Sequence, residues 1–118
     1  MKDLDLAIDL IKQAEYLVAF TGAGISVESG IPAFRGKNGL YEKYSPDIFD
    51  IEFFYSNPKK ATELLKEIFY DTYNNYLPNQ AHLILAEMEK SGFLKYIITQ
   101  NIDNLHYKAG SKNVVEFH

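Results

Sequence analysis

Two polar segments, one near each end of the chain, hold the residue types that could do chemistry. The first is a glycine-rich turn, Gly22-Ala23-Gly24-Ile25-Ser26, which follows a short apolar run. After a strand, such glycines let the backbone approach a pyrophosphate closely, with helix amides stabilising its charge. Val27 stands where a dinucleotide-binding fingerprint has its third glycine, so the turn alone is equally compatible with a tight connection that binds no ligand.

The second polar segment, Gln100-Asn101-Ile102-Asp103, follows another apolar run and places two amides and a carboxylate close together. Open α/β sheets bind ligands at the carboxyl ends of their strands, which is where this segment would lie. Asp103 stands where a helix would begin. At such a position an aspartate is more often a cap than a ligand contact, and it can be both.

Three histidines are candidates for a general base, because imidazole titrates near neutral pH. His82 opens a helix, which favours a structural role, and His106 on a short helix suggests packing or hydrogen bonding. His118 directly follows the apolar-rich run Val114-Val115-Glu116-Phe117, so it can project from the edge of a sheet.

The elements that must position these residues alternate between strands and helices. Strands are predicted at 16–20, 95–99 and 114–117, the first two buried, and helices at 3–14, 79–90 and 103–108. This order predicts an α/β fold with a parallel sheet and right-handed crossovers. About three strands can be found, whereas a doubly wound sheet has roughly five or six.

The middle of the chain, from about residue 37 to residue 78, has a different character, with many aromatic side chains and several turn signals. Pro58 suits the first turn of a helix that runs to about residue 73, after a cap at Ser56 or Asn57. These features predict a helical insertion with a small aromatic core.

Bulk composition excludes several classes of function. The 118 residues carry a net charge of −4, with 47% hydrophobic residues and no cysteine. No basic stripe suggests nucleic-acid binding, and without cysteine neither a disulfide nor a thiolate metal site can form within this stretch. No apolar run approaches the ~18 residues that span a bilayer, and no signal peptide is evident. We therefore expect a cytoplasmic protein that does not enter a membrane.

Three blocks of sequence together resemble the sirtuin family. The segment from Gly22 through Ile31-Pro32-Ala33-Phe34-Arg35-Gly36 resembles the first sirtuin signature, and Thr99-Gln100-Asn101-Ile102-Asp103-Asn104-Leu105-His106 resembles the second. Ala109-Gly110, followed by Val115-Glu116-Phe117-His118, is similar to the segment that ends in the catalytic histidine of the family. All three blocks occur in the family's order and at its spacing.

The resemblance implies an NAD-dependent protein-lysine deacetylase, which transfers the acyl group of acyl-lysine to ADP-ribose and releases nicotinamide. His118 would be the base, and Asn101 with Gln100 would contact the ribose and order a water. The remaining cofactor contacts implied by the resemblance are Gly22, Ala23, Gly24 and Ser26 at the pyrophosphate, Arg35 at the phosphates, Phe34 over the ribose, and Ile31, Pro32, Ile102, Asp103 and Tyr41 around the nicotinamide. From the residues alone, Arg35 would rather be a surface side chain, and Phe34 could equally be a core aromatic.

The resemblance also implies a domain layout and partners. Residues 1–118 would be the N-terminal part of a sirtuin catalytic domain, a partial Rossmann-like sheet with NAD-binding elements at 1–36 and 79–118. Residues from about 37 to 78 would form the cofactor-binding loop and a helical insertion. Family members continue with a four-cysteine zinc ribbon, so zinc is expected only beyond His118. We expect this piece to be inactive alone and to expose apolar surface that favours self-association.

An acetylated-lysine protein or peptide is the expected substrate. Sirtuins that prefer succinyl-lysine carry a Tyr-x-x-Arg pair before the Pro-Asn-x-x-His block, and residues 61–69 have no such pair, which favours a neutral acyl group. Two alternatives stay open: a mono-ADP-ribosyltransferase, which shares the NAD pocket, and a non-catalytic nucleotide-binding fragment.

Overall fold

Three parallel strands bring the polar segments to a common edge. The computed structural model describes the backbone of residues 1–118 and every side chain except that of residue 72. Strands β1 (Leu17–Thr21), β2 (Leu94–Thr99) and β3 (Val114–Glu116) lie in the order β1-β2-β3, and both neighbouring pairs are parallel. Thr99 pairs with both Thr21 and Glu116, so the carboxyl ends of all three strands meet at one edge. The predicted α/β fold with a parallel sheet is confirmed.

Helices connect the strands and form a module in the middle of the chain. In chain order they are α1 (Lys2–Gln13), a 3-10 helix (Ala23–Ser29), α2 (Leu40–Lys43), a second 3-10 helix (Pro46–Phe49), α3 (Ile51–Ser56), α4 (Pro58–Leu65), a π-helix (Lys66–Tyr70), α5 (Asp71–Tyr73), α6 (Gln80–Lys90) and α7 (Leu105–Lys108). The predicted helix from Pro58 to about residue 73 is present as one helical run, whose winding widens to a π-helix in its second half.

Two details of the predicted elements are wrong. The helix predicted to begin at Asp103 begins at Leu105, because Asn104 adopts a left-handed conformation with φ 64° that a helix cannot include. The strand predicted to be buried at 16–20 forms as β1, but its residues alternate between half-buried and exposed. The reason is that Val18 and Phe20 project from a face of the sheet that is left open in the part of the chain the structure describes.

The buried residues lie in two groups. Leu94 and Ile97 of β2 and Leu105 of α7 are almost fully inaccessible, and in the helical module Leu40, Ala61 and Ile68 are buried. Helix α1, in contrast, buries none of its residues, although its apolar side chains are concentrated on one face. None of the helices among the described residues combines the length and apolarity needed to cross a bilayer.

The start of β3 is fixed by one carboxylate from α6. The two Glu89 oxygens accept hydrogen bonds from the backbone N–H groups of Lys112 (3.0 and 3.2 Å) and Asn113 (2.7 Å). The carbonyl of Asn113 then accepts the N–H of Ile97 at 2.9 Å, which begins the pairing between β2 and β3. Glu89 therefore sets where β3 enters the sheet, and so where the residues after it emerge.

We expect Glu89→Ala to lower the free energy of unfolding of the full-length protein by about 1–2 kcal/mol, because charge-assisted bonds to two backbone amides are lost. Urea denaturation measures this change. Glu87→Ala is the matched control, since Glu87 is exposed on the same helix. Equal destabilisation by the two substitutions would show that the hydrogen bonds of the Glu89 carboxylate, the Glu89 clamp, contribute nothing to stability.

Candidate active site

Hydrogen bonds between side chains hold the carboxyl ends of β1 and β2 together. The Thr21 hydroxyl lies 2.9 Å from Thr99 Oγ1 and 2.8 Å from His106 Nε2. Beyond the strand ends, the Asn101 side-chain amide donates to the carbonyl of Gly22 at 2.9 Å, and the Asn101 backbone N–H donates to Thr99 Oγ1 at 3.1 Å. The glycine turn and the second polar segment are thereby fixed to each other.

The glycine turn leaves free space where side chains would otherwise stand. Gly22 is extended, and the 3-10 helix follows directly, with the N–H of Ile25 bonded to the Gly22 carbonyl at 3.2 Å. A Cβ atom added at Gly22 or Gly24 would meet no atom within 4 Å. Side chains at these two positions would therefore clash with no part of the protein. Their absence leaves the backbone of the turn open to a ligand.

Ser26 connects the turn to Asp103 and His82 in a buried chain of hydrogen bonds. The Ser26 hydroxyl donates to Asp103 Oδ2 at 2.5 Å and lies 3.3 Å from His82 Nε2. His82 Nδ1 accepts the backbone N–H of Asn79 at 3.1 Å, so a neutral His82 carries its proton on Nε2 and donates it to Ser26. The other carboxylate oxygen, Oδ1, accepts the N–H of Leu105 at 3.0 Å.

These hydrogen bonds correct the role predicted for the Ser26 hydroxyl. Its side chain is 1% exposed and is bonded to Asp103, so it does not face outward as a hydroxyl for a pyrophosphate. Asp103, which is 5% exposed, accepts the N–H of Leu105 at the start of α7, although the N-cap position itself is Asn104. The structural role predicted for His82 agrees with its full burial and its place in the capping box of α6.

Both buried imidazoles are held in the neutral form. Burial lowers the pKa of His82 below its usual 6.5, and the negative charge of Asp103 only partly opposes this. Burial also lowers the pKa of His106, and the neighbouring His82 ring, 5.1 Å away between centroids, adds to the effect. The hydrogen bonds of His82 require a neutral ring, because its Nδ1 accepts the Asn79 N–H while its Nε2 donates to Ser26.

A cavity of about 280 Å³ lies at the carboxyl edge of the sheet. It is lined by Ala23, Pro32, Phe34, Tyr73, Gln100, Asn101, Ile102, Asp103 and His118. Asp103, which follows β2, and His118, which follows β3, thus face one space. Among the described residues, no group of three or more His, Asp or Glu side chains is arranged to bind a metal ion.

Other predicted site residues lie around the cavity rather than on its wall. Ile31 is buried beside Pro32, and Gly24 is exposed next to Ala23. Arg35 is exposed and forms no ion pair with the described residues. The Tyr41 ring packs on Phe34 with centroids 5.8 Å apart, so it supports the wall instead of forming it.

The loop that carries Phe34 closes on itself through backbone contacts. The N–H groups of Leu40 and Tyr41 donate to the carbonyls of Ala33 (2.7 Å) and Phe34 (2.9 Å). A Cβ at Gly39 would lie 2.9 Å from the carbonyl atoms of Arg35, so this closure requires glycine. The Phe34 ring then contacts Phe49 edge-on at 5.7 Å, which connects the cavity to the helical module.

Tyr73 is a cavity residue that sequence reasoning missed. The sequence placed it only in the aromatic core of the insertion, and no local motif marks it. Burial raises its pKa to about 12, with the charge of Asp103 contributing, so the phenol is neutral at physiological pH. Tyr73 and Ile102 also border a second, apolar groove of about 850 Å³.

Since the folded-state pKa values of His82 and His106 are lowered, the unfolded chain binds more protons below about pH 6.5. The stability that these residues contribute is complete above that pH and is lost as the pH falls. We expect His82→Gln to reduce the slope of melting temperature against pH between about pH 7 and pH 5. Equal slopes for the wild type and His82→Gln would contradict the assignment.

Comparison with known proteins places this site in one family. The Sir2 family model matches residues 22–118. The NAD-dependent protein deacetylase of Thermotoga maritima is 50% identical over 111 residues, which are 94% of this chain and 45% of that protein. That of Saccharolobus solfataricus is 53% identical over 117 residues, covering 96% of this chain and 45% of that protein.

Solved structures give the same result. A Sir2 with a deacetylated p53 peptide and 3′-O-acetyl ADP ribose superimposes with a TM-score of 0.89 at 48% identity, covering 96% of this chain and 46% of that one. A Sir2 homologue in complex with ADP ribose has a TM-score of 0.89 at 43% identity, over 97% of this chain and 46% of that one. The chain spans just under half the length of the relatives it matches, and it belongs to the Sir2 family.

Proposed function

We propose that this chain supplies the nicotinamide and ribose side of the active site of an NAD-dependent protein-lysine deacetylase. The observation that carries the proposal is the shared cavity of Ala23, Asn101, Asp103 and His118 at the carboxyl edge of the sheet. The names of the matched relatives support it, since they are NAD-dependent protein deacetylases.

The residues around the cavity suit one end of a dinucleotide. A volume of about 280 Å³ is at the small end of ligand sites, which fits a nicotinamide and its ribose better than a whole dinucleotide. The open space over Gly22 and Gly24 lets a phosphate approach the backbone amides. Arg35, exposed and unpaired among the described residues, would add a positive charge beside it.

Asp103 is the group best placed to bind a carboxamide. Each of its oxygens already accepts one hydrogen bond, from Ser26 or from Leu105, and retains a second lone pair. Those two bonds fix the position of the carboxylate. The Asn101 side chain donates to Gly22, which leaves its carbonyl oxygen to accept a hydrogen bond from a ribose hydroxyl or a water.

NAD, when bound, supplies an electrophilic ribose carbon, nicotinamide as the leaving group, and a ribose that receives the acyl group. His118 would act as general base, with an unprotonated ring nitrogen accepting a proton inside the cavity. Its ring is exposed and contacts Phe117 edge-on at 5.9 Å, and the Phe117 N–H bonds to the Thr99 carbonyl at 2.9 Å. The imidazole is therefore attached to the sheet edge. Phe34 and Pro32 contribute apolar walls that limit access of water.

In the full-length protein, His118→Tyr should lower deacetylation of an acetyl-lysine peptide by about 100-fold or more, because the proton acceptor is lost. Binding of NAD, followed by calorimetry, should remain. Glu116→Gln, an exposed change on the same strand, is the control. Deacetylation at the normal rate by His118→Tyr would refute the assignment. Two other results would instead favour a mono-ADP-ribosyltransferase. These are release of nicotinamide in the absence of an acetyl peptide and transfer of ADP-ribose to a protein acceptor.

The acyl group is proposed to be neutral. Arg35 is the only arginine of the chain, and it lies outside the groove. Lys66, on the groove wall, is paired with Asp71 at 2.9 Å. An acidic acyl group that extended into the groove would therefore find no unpaired positive charge on its wall among the residues that are described.

We expect kcat/KM for an acetyl peptide to exceed that for a succinyl peptide by about tenfold or more. Asp71→Asn, which frees the Lys66 ammonium, should raise succinyl activity relative to the wild type while acetyl activity stays unchanged. A wild-type enzyme that prefers succinyl-lysine would contradict the proposal.

A further inference from the structure

The His106 side chain lies outside the cavity wall but is bonded to the end of a strand that supports it. It is 2% exposed, and its Nε2 lies 2.8 Å from the Thr21 hydroxyl oxygen. The other ring nitrogen, Nδ1, is buried as well and has no hydrogen-bond partner among the described residues. The polar contact that His106 makes is therefore directed at Thr21.

The hydrogen bonds that start at His106 have a defined direction. The Thr21 hydroxyl donates its proton to Thr99 Oγ1 at 2.9 Å, so it can only accept from the imidazole. A neutral His106 ring therefore carries its proton on Nε2 and donates it to Thr21. Thr99 Oγ1 also accepts the backbone N–H of Asn101 at 3.1 Å. A continuous line of hydrogen bonds thus connects His106 with Asn101 through two threonines.

Asn101 depends on Thr21 in a second way. Its side-chain amide donates to the carbonyl of Gly22 at 2.9 Å, and Gly22 directly follows Thr21 in the chain. The backbone of Asn101 is therefore held through Thr99, and its side chain through the residue next to Thr21. Because Asn101 is on the cavity wall, the position of the Thr21 hydroxyl affects where the free Asn101 carbonyl oxygen points.

Stability alone does not explain an imidazole at position 106. A buried polar atom without a partner, such as Nδ1, lowers the free energy of unfolding. The ring contacts the His82 ring edge-on with centroids 5.1 Å apart, a contact in which an apolar side chain would also pack. What an apolar side chain cannot provide is the donor to Thr21.

We propose that His106 is a positioning residue for Asn101, and that it acts by holding the Thr21 hydroxyl in the orientation that donates to Thr99. This inference rests on the proposed deacetylase function, in which Asn101 contacts the ribose of NAD or an ordered water. His106 does not line the cavity, so it influences the reaction only through the two threonines.

The first test uses the full-length protein with NAD and an acetyl-lysine peptide. His106→Leu removes the donor and keeps an apolar side chain, so kcat should fall about tenfold or more, because a displaced contact to the reacting ribose slows the reaction. KM for the peptide should stay within about twofold of the wild-type value. His106→Gln, whose side-chain amide can donate in place of Nε2, should restore kcat to within about threefold of the wild type.

Ser111→Ala is the matched control. Ser111 is buried, its N–H bonds to the His106 carbonyl at 3.1 Å, and its hydroxyl has no partner among the described residues. The substitution therefore removes a polar group next to His106 without breaking the line to Asn101, and kcat should not change. An equal loss in Ser111→Ala, or no recovery in His106→Gln, would show that His106 only fills space and overturns the inference.

A double-mutant cycle tests whether His106 acts through Thr21. Thr21→Val keeps the shape of the side chain and removes its hydroxyl, so it interrupts the same line one step later. Residues that act as a unit are not additive. We therefore expect the double variant His106→Leu with Thr21→Val to be no slower than the slower single variant. Losses of kcat that multiply would overturn the inference.

Hydrogen exchange measured by NMR provides a readout that does not depend on activity. In His106→Leu the Asn101 N–H should exchange about tenfold faster or more, because its acceptor is no longer held. The N–H of Ile97, bonded to the Asn113 carbonyl within the sheet, should exchange at the wild-type rate. Equal acceleration at both amides would indicate general loosening and contradict a positioning role.

A thermal melt establishes that each variant is folded, and if His106→Leu is not, Thr21→Val decides in its place. A kcat within about twofold of the wild type in the folded variant overturns the inference. A wild-type enzyme that removes no acetyl group contradicts the proposed function itself, and the exchange of the Asn101 N–H then still decides whether His106 positions that residue.

Discussion

The arrangement of this site depends on one buried contact, the hydrogen bond from the Ser26 hydroxyl to the Asp103 carboxylate. A carboxylate that is 5% exposed is costly unless it is fully bonded. Ser26 comes from the turn after β1, Asp103 from the segment after β2, and His82, which supports Ser26, from α6. The one carboxylate thus holds three elements in a single geometry, and a shift of the glycine turn would remove one of its two hydrogen bonds.

The third strand brings the last component to this geometry by a different route. β3 is only three residues long and half-buried at best, so its own burial positions it weakly. Its register depends on the backbone bonds at Asn113 and Phe117 and on the Glu89 clamp. Backbone hydrogen bonds of the sheet therefore position His118 at the cavity, whereas a side-chain hydrogen bond from Ser26 helps to position Asp103. A base held at an exposed edge stays accessible to protons from solvent, which a buried imidazole such as His82 is not.

Much of the sheet and most of the cavity could be predicted from the sequence, because strand ends and signature blocks are local patterns. Ser26 shows where that reasoning stops: a serine in a glycine turn has the same local sequence whether it faces a phosphate or a carboxylate 77 positions away. The helix start after Asn104 and the exposure of Phe20 depend on tertiary packing, which periodicity does not contain. Tyr73 could not be identified as a cavity residue, because its position depends on how the helical module folds against Ile102.

Hydrogen bonds fix the sheet edge of the site, whereas aromatic packing fixes the helical module. The two parts therefore differ in how well they tolerate substitutions. Around the sheet edge, Thr21, Thr99, Asn101 and Asp103 are fixed by hydrogen bonds whose loss would leave buried polar groups unpaired. In the helical module, the rings of Phe49, Phe69 and Tyr73 are fixed by contacts that tolerate other apolar shapes of similar volume. The polar network therefore constrains the chemistry strictly, whereas the aromatic wall can vary in shape without disturbing it. A fold arranged in this way can alter what it accepts as substrate while keeping the same reacting groups.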